Sequence, residues 1–291
     1  SLEKVTKYMM IALLIIMVIL AGYSISNTGA KEGLDFFLTP NFERLQKIGI
    51  LKVIVMAMNQ AFFTLSIGIG SMAIFGSYIG KEHSLLGEAI QVSVLDTFVA
   101  MTSGLVIFPL CYTYNVNVSA GPSLIFLALP NVFSHMPIGH IWGGLFFLFL
   151  SFAALSTVFA VFENIVSMVM EMFNCSRKNS CLINLVGLLV LGAPCALGFS
   201  VWAWPWLKVF GGTILDLEDF LVSNLLLPCG ALVYLLFCVK DSGWGWNNYY
   251  AEVNAGDGAK VKPWMRNYFT YVLPLIILFI MGYGIWEKFF I

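Results

Sequence analysis

The sequence predicts an all-α polytopic membrane protein with seven transmembrane helices, one of them unwound. Three observations carry that prediction. Hydrophobic residues make up 59% of the 291 residues, charged residues only 11%, and the mean hydropathy is +0.88. A soluble globular chain carries about 25% charged residues, so this one has too few to cover a water-facing surface. Apolar runs of about 20 residues recur along the chain, the length that crosses roughly 30 Å of hydrocarbon as a helix. One run, "NQAFFTLSIGIGSM" from Asn59 to Met72, sets Asn59, Gln60, Thr64 and Ser66 beside Gly68 and Gly70 in mid-span. Such residues suit a helix that breaks.

The first span, Tyr8–Tyr23, is too long for a signal-peptide core, and no clean small-residue cleavage site follows it. The chain opens on Ser1, not Met, and is expected to begin partway through a longer protein. The second span, Ile48–Ile79, exceeds what a bilayer needs, which means tilt, protrusion or a break; Gly68 and Gly70 favour the break. Leu85–Cys111 forms the third. The connection Asn115–Pro137 has no Lys or Arg and holds "AGPSLIFLALPNVF", an apolar segment punctuated by Pro122 and Pro130 that is expected to fold back on the protein. Ile141–Phe173 is the fourth span and is also long; Ser180–Ala203, Phe220–Val239 and Met265–Phe290 complete the set. Nine Lys and Arg residues, among them Lys4, Lys81, Arg177 and Lys260, fall on the side of the N-terminus, and six, among them Lys31, Lys52, Lys208 and Lys288, fall on the other. The positive-inside rule therefore puts Ser1 in the cytoplasm.

Several function classes lack their signals. A net charge of −1 gives no reason to invoke nucleic acid. There is no P-loop and no G-x-S-x-G elbow, so nothing points to ATP use or hydrolysis. Cys111, Cys195, Cys229 and Cys238 lie in apolar runs and read as small buried hydrophobes. Cys175 and Cys181 flank a basic loop, with no Cys or His pair to complete a metal site. His83, His135 and His140 fall in expected loops, which argues against a bis-histidine haem.

Polar groups inside the spans carry the functional reading. A break in a spanning helix frees N–H groups at one half-helix start, which attract anions, and carbonyls at the other half-helix end, which coordinate cations. Thr64 and Ser66 add hydroxyls there. The same stretch also suits a close helix–helix contact built on small residues. In the fourth span Ala153, Ser156, Thr157 and Ala160 recur at i, i+3, i+4 and i+7, one small face with two hydroxyls. That is donor chemistry for a hard cation such as sodium, or a packing seam. Asp96 and Glu163 are intramembrane acids, which mark an ion or proton pathway by default; Glu163 also suits a cap for freed N–H groups. Asp216 and Asp219 fall at the outer mouth of the sixth span, where acids also suit a solvated helix start.

Together these segments resemble the neurotransmitter:sodium symporter family, which includes the bacterial leucine transporter. "QAFFTLSIGIGSM" is similar to the family's sixth helix, "FAALST" to the core of its eighth, and "SAGPSLIFLALPNVF" to its fourth extracellular loop. "EKVTKYMM" resembles the start of its fifth helix and "GWGWNNYYAEVNAG" the loop before its eleventh. The resemblance implies the inverted-repeat leucine-transporter fold, with this chain running from the fifth helix to the eleventh. Residues 1–47 would then hold the last helix of the first repeat and an outer loop, 48–240 the second five-helix repeat, and 241–291 a cytoplasmic loop and final helix. The partners implied are an amino-acid substrate, sodium, the lipid bilayer and the missing N-terminal helices of the same protein, with no nucleic acid.

The resemblance also assigns roles. Phe63 matches the aromatic lid over the bound amino acid; Ser66 and Ile69 match substrate-contacting positions, and Thr157 is carried over with them. Ile69 is smaller than the phenylalanine of the leucine transporter, which leaves room for a larger substrate side chain. Thr64 matches a ligand of the first sodium site, and Asp96 stands where that site usually has asparagine. Ala153, Ser156 and Thr157 match ligands of the second sodium site, and Asp219 the outer-gate acid. Ala100 departs from the pattern: chloride-independent relatives carry glutamate there, and Asp96, four residues earlier on the same face, is expected to supply that charge instead. The implied function is a sodium-coupled amino-acid symporter, not an enzyme, in a bacterial plasma (inner) membrane, with Na+ as the co-transported ion. The alternative is a non-transporting amino-acid-binding module or a half-size subunit that needs a partner.

Overall fold

A computed structural model describes residues 2–70, 73, 76–77, 79–115, 118, 125–126, 129–135, 137–202, 204–206 and 212–290. Met72, Pro122 and Lys208, and with them most of the segment 119–128, lie outside the described residues. Among the described residues the protein is helical, with one isolated bridge between His83 and Asp257. The helices are α1 Leu2–Ile25, α2 Ala30–Leu38, α3 Phe42–Ile48, α4 Ile50–Thr64, α5 Leu85–Thr113, α6 Leu129–His135, α7 Gly139–Phe173 and α8 Arg177–Gly198, followed by α9 Ile214–Val239, α10 Trp246–Val253 and α11 Met265–Phe290.

Six of these helices are long and apolar enough to span a bilayer, and α3 with α4 makes a seventh candidate, bent by 91°. The bend falls at Gly49, whose φ of +96° is open to glycine and strained for other residues. Most span limits move by a few residues from the sequence expectation, and two starts have a visible cause. The fifth span, α8, starts at Arg177, not Ser180, because Ser176 caps it by accepting from the Asn179 N–H. The sixth starts at Ile214, not Phe220, because Thr213 and Asp216 form a reciprocal capping box. His140 lies on α7 and His135 on α6, so only His83 is in a connection.

Two helices contain one π-helical turn each, Val222–Leu226 in α9 and Tyr268–Val272 in α11. In both, a proline follows one residue beyond the next, Pro228 and Pro274. Proline brings no N–H and its ring crowds the carbonyl four residues back. Widening the turn relieves that crowding, with Leu227 donating to the Val222 carbonyl and Leu273 to that of Tyr268.

The chain forms two compact units, Ser1–Arg44 with Val94–Ala160, and Leu45–Ser93 with Val161–Ile291. The first is built on Leu20, Ala21, Val106, Leu110, Cys111, Leu129, Phe133 and Phe146. There the buried Ser24 hydroxyl donates to the Val106 carbonyl at 2.8 Å, so its polar group is satisfied inside the apolar contact. In the second unit Val55, Phe62, Leu227, Ala231, Ile277 and Ile280 join α4, α9 and α11. A further cluster, Val239, Trp246, Val253 and Val261, seats α10 against the end of α9 and the starts of α5 and α11. Tyr249 packs beside it, and burial pushes its phenol above the usual range. Many large apolar side chains remain exposed on the spanning helices, including Leu182, Val186, Leu189 and Val190 on α8. An outward apolar surface of that extent is what lipid solvates.

Candidate substrate and ion site

The unwound stretch begins where α4 stops. The Ile67 N–H reaches back to the Phe62 carbonyl at 3.0 Å and the Ser66 N–H to the Phe63 carbonyl at 3.1 Å. This pair of bonds is the Schellman arrangement, which needs a left-handed residue at the first position beyond the cap. That residue is Ser66, with φ 53°. Glycine normally fills the position; a serine there stores strain of about 1 kcal/mol or more, a pattern that gathers at functional sites. The break expected at Gly68 and Gly70 therefore starts earlier, at Thr64, and the two glycines, with φ 92° and 87°, carry the chain onward.

This stretch is non-helical, and it is also a close packing contact. A side chain at Gly68 would overlap the Leu227 carbonyl and the Ala231 nitrogen of α9, and one at Gly230 would overlap the Gly68 carbonyl. Gly70 lies under the Tyr234 hydroxyl. On the other side, the Asn164 amide of α7 donates to the Ile69 carbonyl at 3.3 Å.

Phe63 and Asp219 line one cleft of about 740 Å³ between α4, α9 and α11. Gln60, Asn59 and Asn224 share it, and the Asn59 amide donates to Asn224 Oδ1 at 3.1 Å. Asp219 accepts from the Ser223 hydroxyl at 3.1 Å, while Asp216 is engaged by the helix cap and binds Thr213. Glu287 closes the cleft and is paired with Lys52 at 2.5 Å. Phe63 is 52% exposed.

On α7 the Ala153 carbonyl accepts from both Ser156 Oγ at 2.8 Å and Thr157 Oγ1 at 3.2 Å. One carbonyl and two hydroxyl oxygens are thus gathered on one face, all neutral and hard, a donor set that fits a small hard cation. Ala153 and Ser156 are half-buried and Thr157 exposed. Asp96 is half-buried on α5. Glu163 does not cap freed N–H groups; it is held by Arg177 in a two-pronged pair at 3.1 and 2.6 Å.

All six cysteines are free thiols. Of those in apolar runs only Cys111 is fully buried, and Cys195 donates instead to Glu218 Oε2 at 2.8 Å. No cluster of three potential metal-binding His, Cys, Asp or Glu side chains occurs among the described residues. Asn164 and Asn224 were not singled out in the sequence reading. Their signal was present: each is an amide inside an apolar helix, "FENIV" and "VSNLL", where a polar group needs a partner.

The sodium:neurotransmitter symporter family model matches residues 2–288. An uncharacterized sodium-dependent transporter of Haemophilus influenzae is 31% identical over 285 residues, 96% of this chain and 60% of that protein. A sodium-dependent transporter of Bacillus subtilis, also uncharacterized, is 32% identical over 284 residues, 96% of this chain and 61% of that protein. The crystal structure of MhsT in complex with L-phenylalanine superposes with a TM-score of 0.82 at 33% identity, over 96% of this chain and 62% of that one. The chain thus spans about 60% of the length of these relatives. The fold is the leucine-transporter type of polytopic helical membrane protein that the sequence implied. Proteins of this kind are sodium-dependent transporters and not enzymes. The match over nearly the whole chain and the shared fold have one consequence: the chain belongs to the sodium:neurotransmitter symporter family.

Proposed function

We propose that this chain is the C-terminal part of a sodium-coupled amino-acid symporter that works by alternating access. The observation that carries the reading is the end of α4. An apolar spanning segment abandons its helix at a strained Ser66 and continues as bare backbone through two left-handed glycines. Non-helical backbone at membrane depth is tolerated where it is packed in protein or lines a polar cavity, and in carriers such backbone binds the substrate and its coupled ions. Two of its relatives support the ligand class: one is named a sodium- and chloride-dependent glycine transporter, and the other is MhsT, solved with L-phenylalanine.

In this reading Phe63, Ser66, Ile69 and Thr157 contact the amino acid. Thr64 and Asp96 serve one sodium site, and Ala153, Ser156 and Thr157 the other. Asp219 is the outer-gate acid. Residues 48–240 are the second repeat, flanked by 1–47 and 241–291, and helices of the same protein N-terminal to this chain complete the sites. The chain lies in the plasma membrane with its Ser1 end in the cytoplasm, and the sodium gradient drives transport. No covalent step is involved.

The test is uptake of a radiolabelled amino-acid mixture by the whole protein in proteoliposomes. An inward sodium gradient is expected to drive accumulation, and collapsing that gradient to abolish it. Accumulation that ignores sodium would overturn the reading. Sodium-dependent binding without accumulation would favour a non-transporting binding module.

A further inference from the structure

We propose that Asn164 is a positioning residue for the substrate site, its side-chain amide holding the Ile69 carbonyl and with it the unwound backbone 65–70. The inference rests on the symporter reading above. The stretch is fixed at its start by the two bonds to Phe62 and Phe63. Gly68 is fixed against α9 by the absence of a side chain on either Gly68 or Gly230. Ile69 lies between Gly68 and Gly70, both in left-handed conformation, so its peptide is flanked by the two most freely rotating residues in the stretch. Its carbonyl is met by Asn164 Nδ2 at 3.3 Å, from a residue 95 positions away. In hydrocarbon a carbonyl outside a helix needs a donor, and an amide on a helix needs an acceptor. Each group satisfies the other.

Asn164 stands on α7 within the same compact unit as the unwound stretch it meets. Ile69 is one of the residues assigned to the substrate, so freeing its peptide bond lets the site sample unproductive conformations. That ordering must be recovered at the moment of binding, and the cost appears as lost affinity.

The experiment uses the whole protein in detergent with two near-isosteric variants. N164D replaces the donor with an acceptor facing a carbonyl, and N164L removes it without adding charge. Two quantities are read: sodium-dependent equilibrium binding of the radiolabelled amino acids, and hydrogen exchange of the peptide covering 65–70. The number of binding sites, set against a melting curve, reports folding. Both folded variants are expected to bind up to roughly tenfold more weakly, the upper scale of losing one intramolecular hydrogen bond, with the same number of sites. Exchange is expected to quicken across 65–70 and to stay unchanged in α9. Affinity within twofold of wild type, or unchanged exchange in N164L, would overturn the proposal. Failure of the wild type itself to bind any amino acid would sink the symporter reading; the exchange comparison then decides the Asn164 contact alone.

Discussion

Gly68 and Gly230 meet backbone against backbone: the position a Cβ would take on Gly230 is already filled by the Gly68 carbonyl. At Gly68 the unwound stretch that follows α4 is therefore seated on α9 without any side chain between them. Gly230→Ala must push the two apart. Overpacking of this kind costs typically about 1–3 kcal/mol, and here the displaced atoms are backbone. In the whole protein G230A is expected to lower the melting temperature and weaken substrate binding together. A variant with wild-type melting and binding would show that the approach is looser than described.

The Glu163–Arg177 pair leads to a smaller expectation. Its geometry is two-pronged, but the Arg177 side chain is 60% exposed and that of Glu163 25%. Exposed pairs are worth about 0–1 kcal/mol and are screened by salt. A double-mutant cycle with E163Q and R177Q should return a coupling energy below about 1 kcal/mol that shrinks further at high salt. A coupling several times larger would mean that the pair works in a desolvated setting.

The spans were legible because their signal is length: a run of about 20 apolar residues needs no tertiary information. The break in α4 was legible as a glycine pair, yet its position was not. The left-handed residue that ends the helix is Ser66, and a serine gives no such warning. The bend at Gly49 was missed although a glycine stood between "RLQKI" and "ILKVI". The start of α9 was readable in principle as "TILD", a Thr followed three residues later by an acid; the apolar run alone, which opens at Phe220, puts the start late. The clasp by which Asp257 bonds the backbone of Glu82 and Ser84 was not readable at all. It joins segments far apart in sequence through main-chain atoms, which leave no mark in side-chain pattern. The same is true of Asn164 and Ile69, where one partner is a carbonyl.

Ser66 offers a test that separates stability from function. Its left-handed backbone costs a serine about 1 kcal/mol relative to glycine. S66G is expected to raise stability by roughly 0.5 kcal/mol, the relieved strain less the unfolded-state entropy that a glycine adds, and to weaken amino-acid binding by removing the hydroxyl. Melting and binding would then move in opposite directions. If S66G melts lower than wild type, the serine side chain supports the turn and the strain is already compensated.

The cap of α9 gives a further expectation with no functional component. Thr213 accepts from the Asp216 N–H at 3.1 Å, and Asp216 Oδ2 accepts from the Thr213 N–H at 3.1 Å. T213A removes the side-chain acceptor and should cost about 1 kcal/mol. Asp216 lines the same cleft as Asp219, so T213A also asks whether Asp216 has a second duty. Melting lowered with binding intact would confine Asp216 to the cap. Binding lost beyond what the melting shift explains would give it a share in the cleft.

Asp96 carries the last prediction, which concerns charge. Binding sodium beside a neutral substrate leaves positive charge in the membrane that some anion must offset. We propose that Asp96 is that anion, because the position one helical turn on is Ala100 and brings no carboxylate. Uptake by the whole protein should then continue unchanged when chloride is replaced by gluconate. D96N keeps a carbonyl oxygen for sodium but removes the charge. It is expected to slow uptake at least tenfold in gluconate and to recover part of it when chloride is restored. Wild-type uptake that stops without chloride would remove the charge role from Asp96. A D96N protein equally slow in both salts would leave Asp96 as an ion ligand for which asparagine cannot substitute, and would end the chloride-replacement argument.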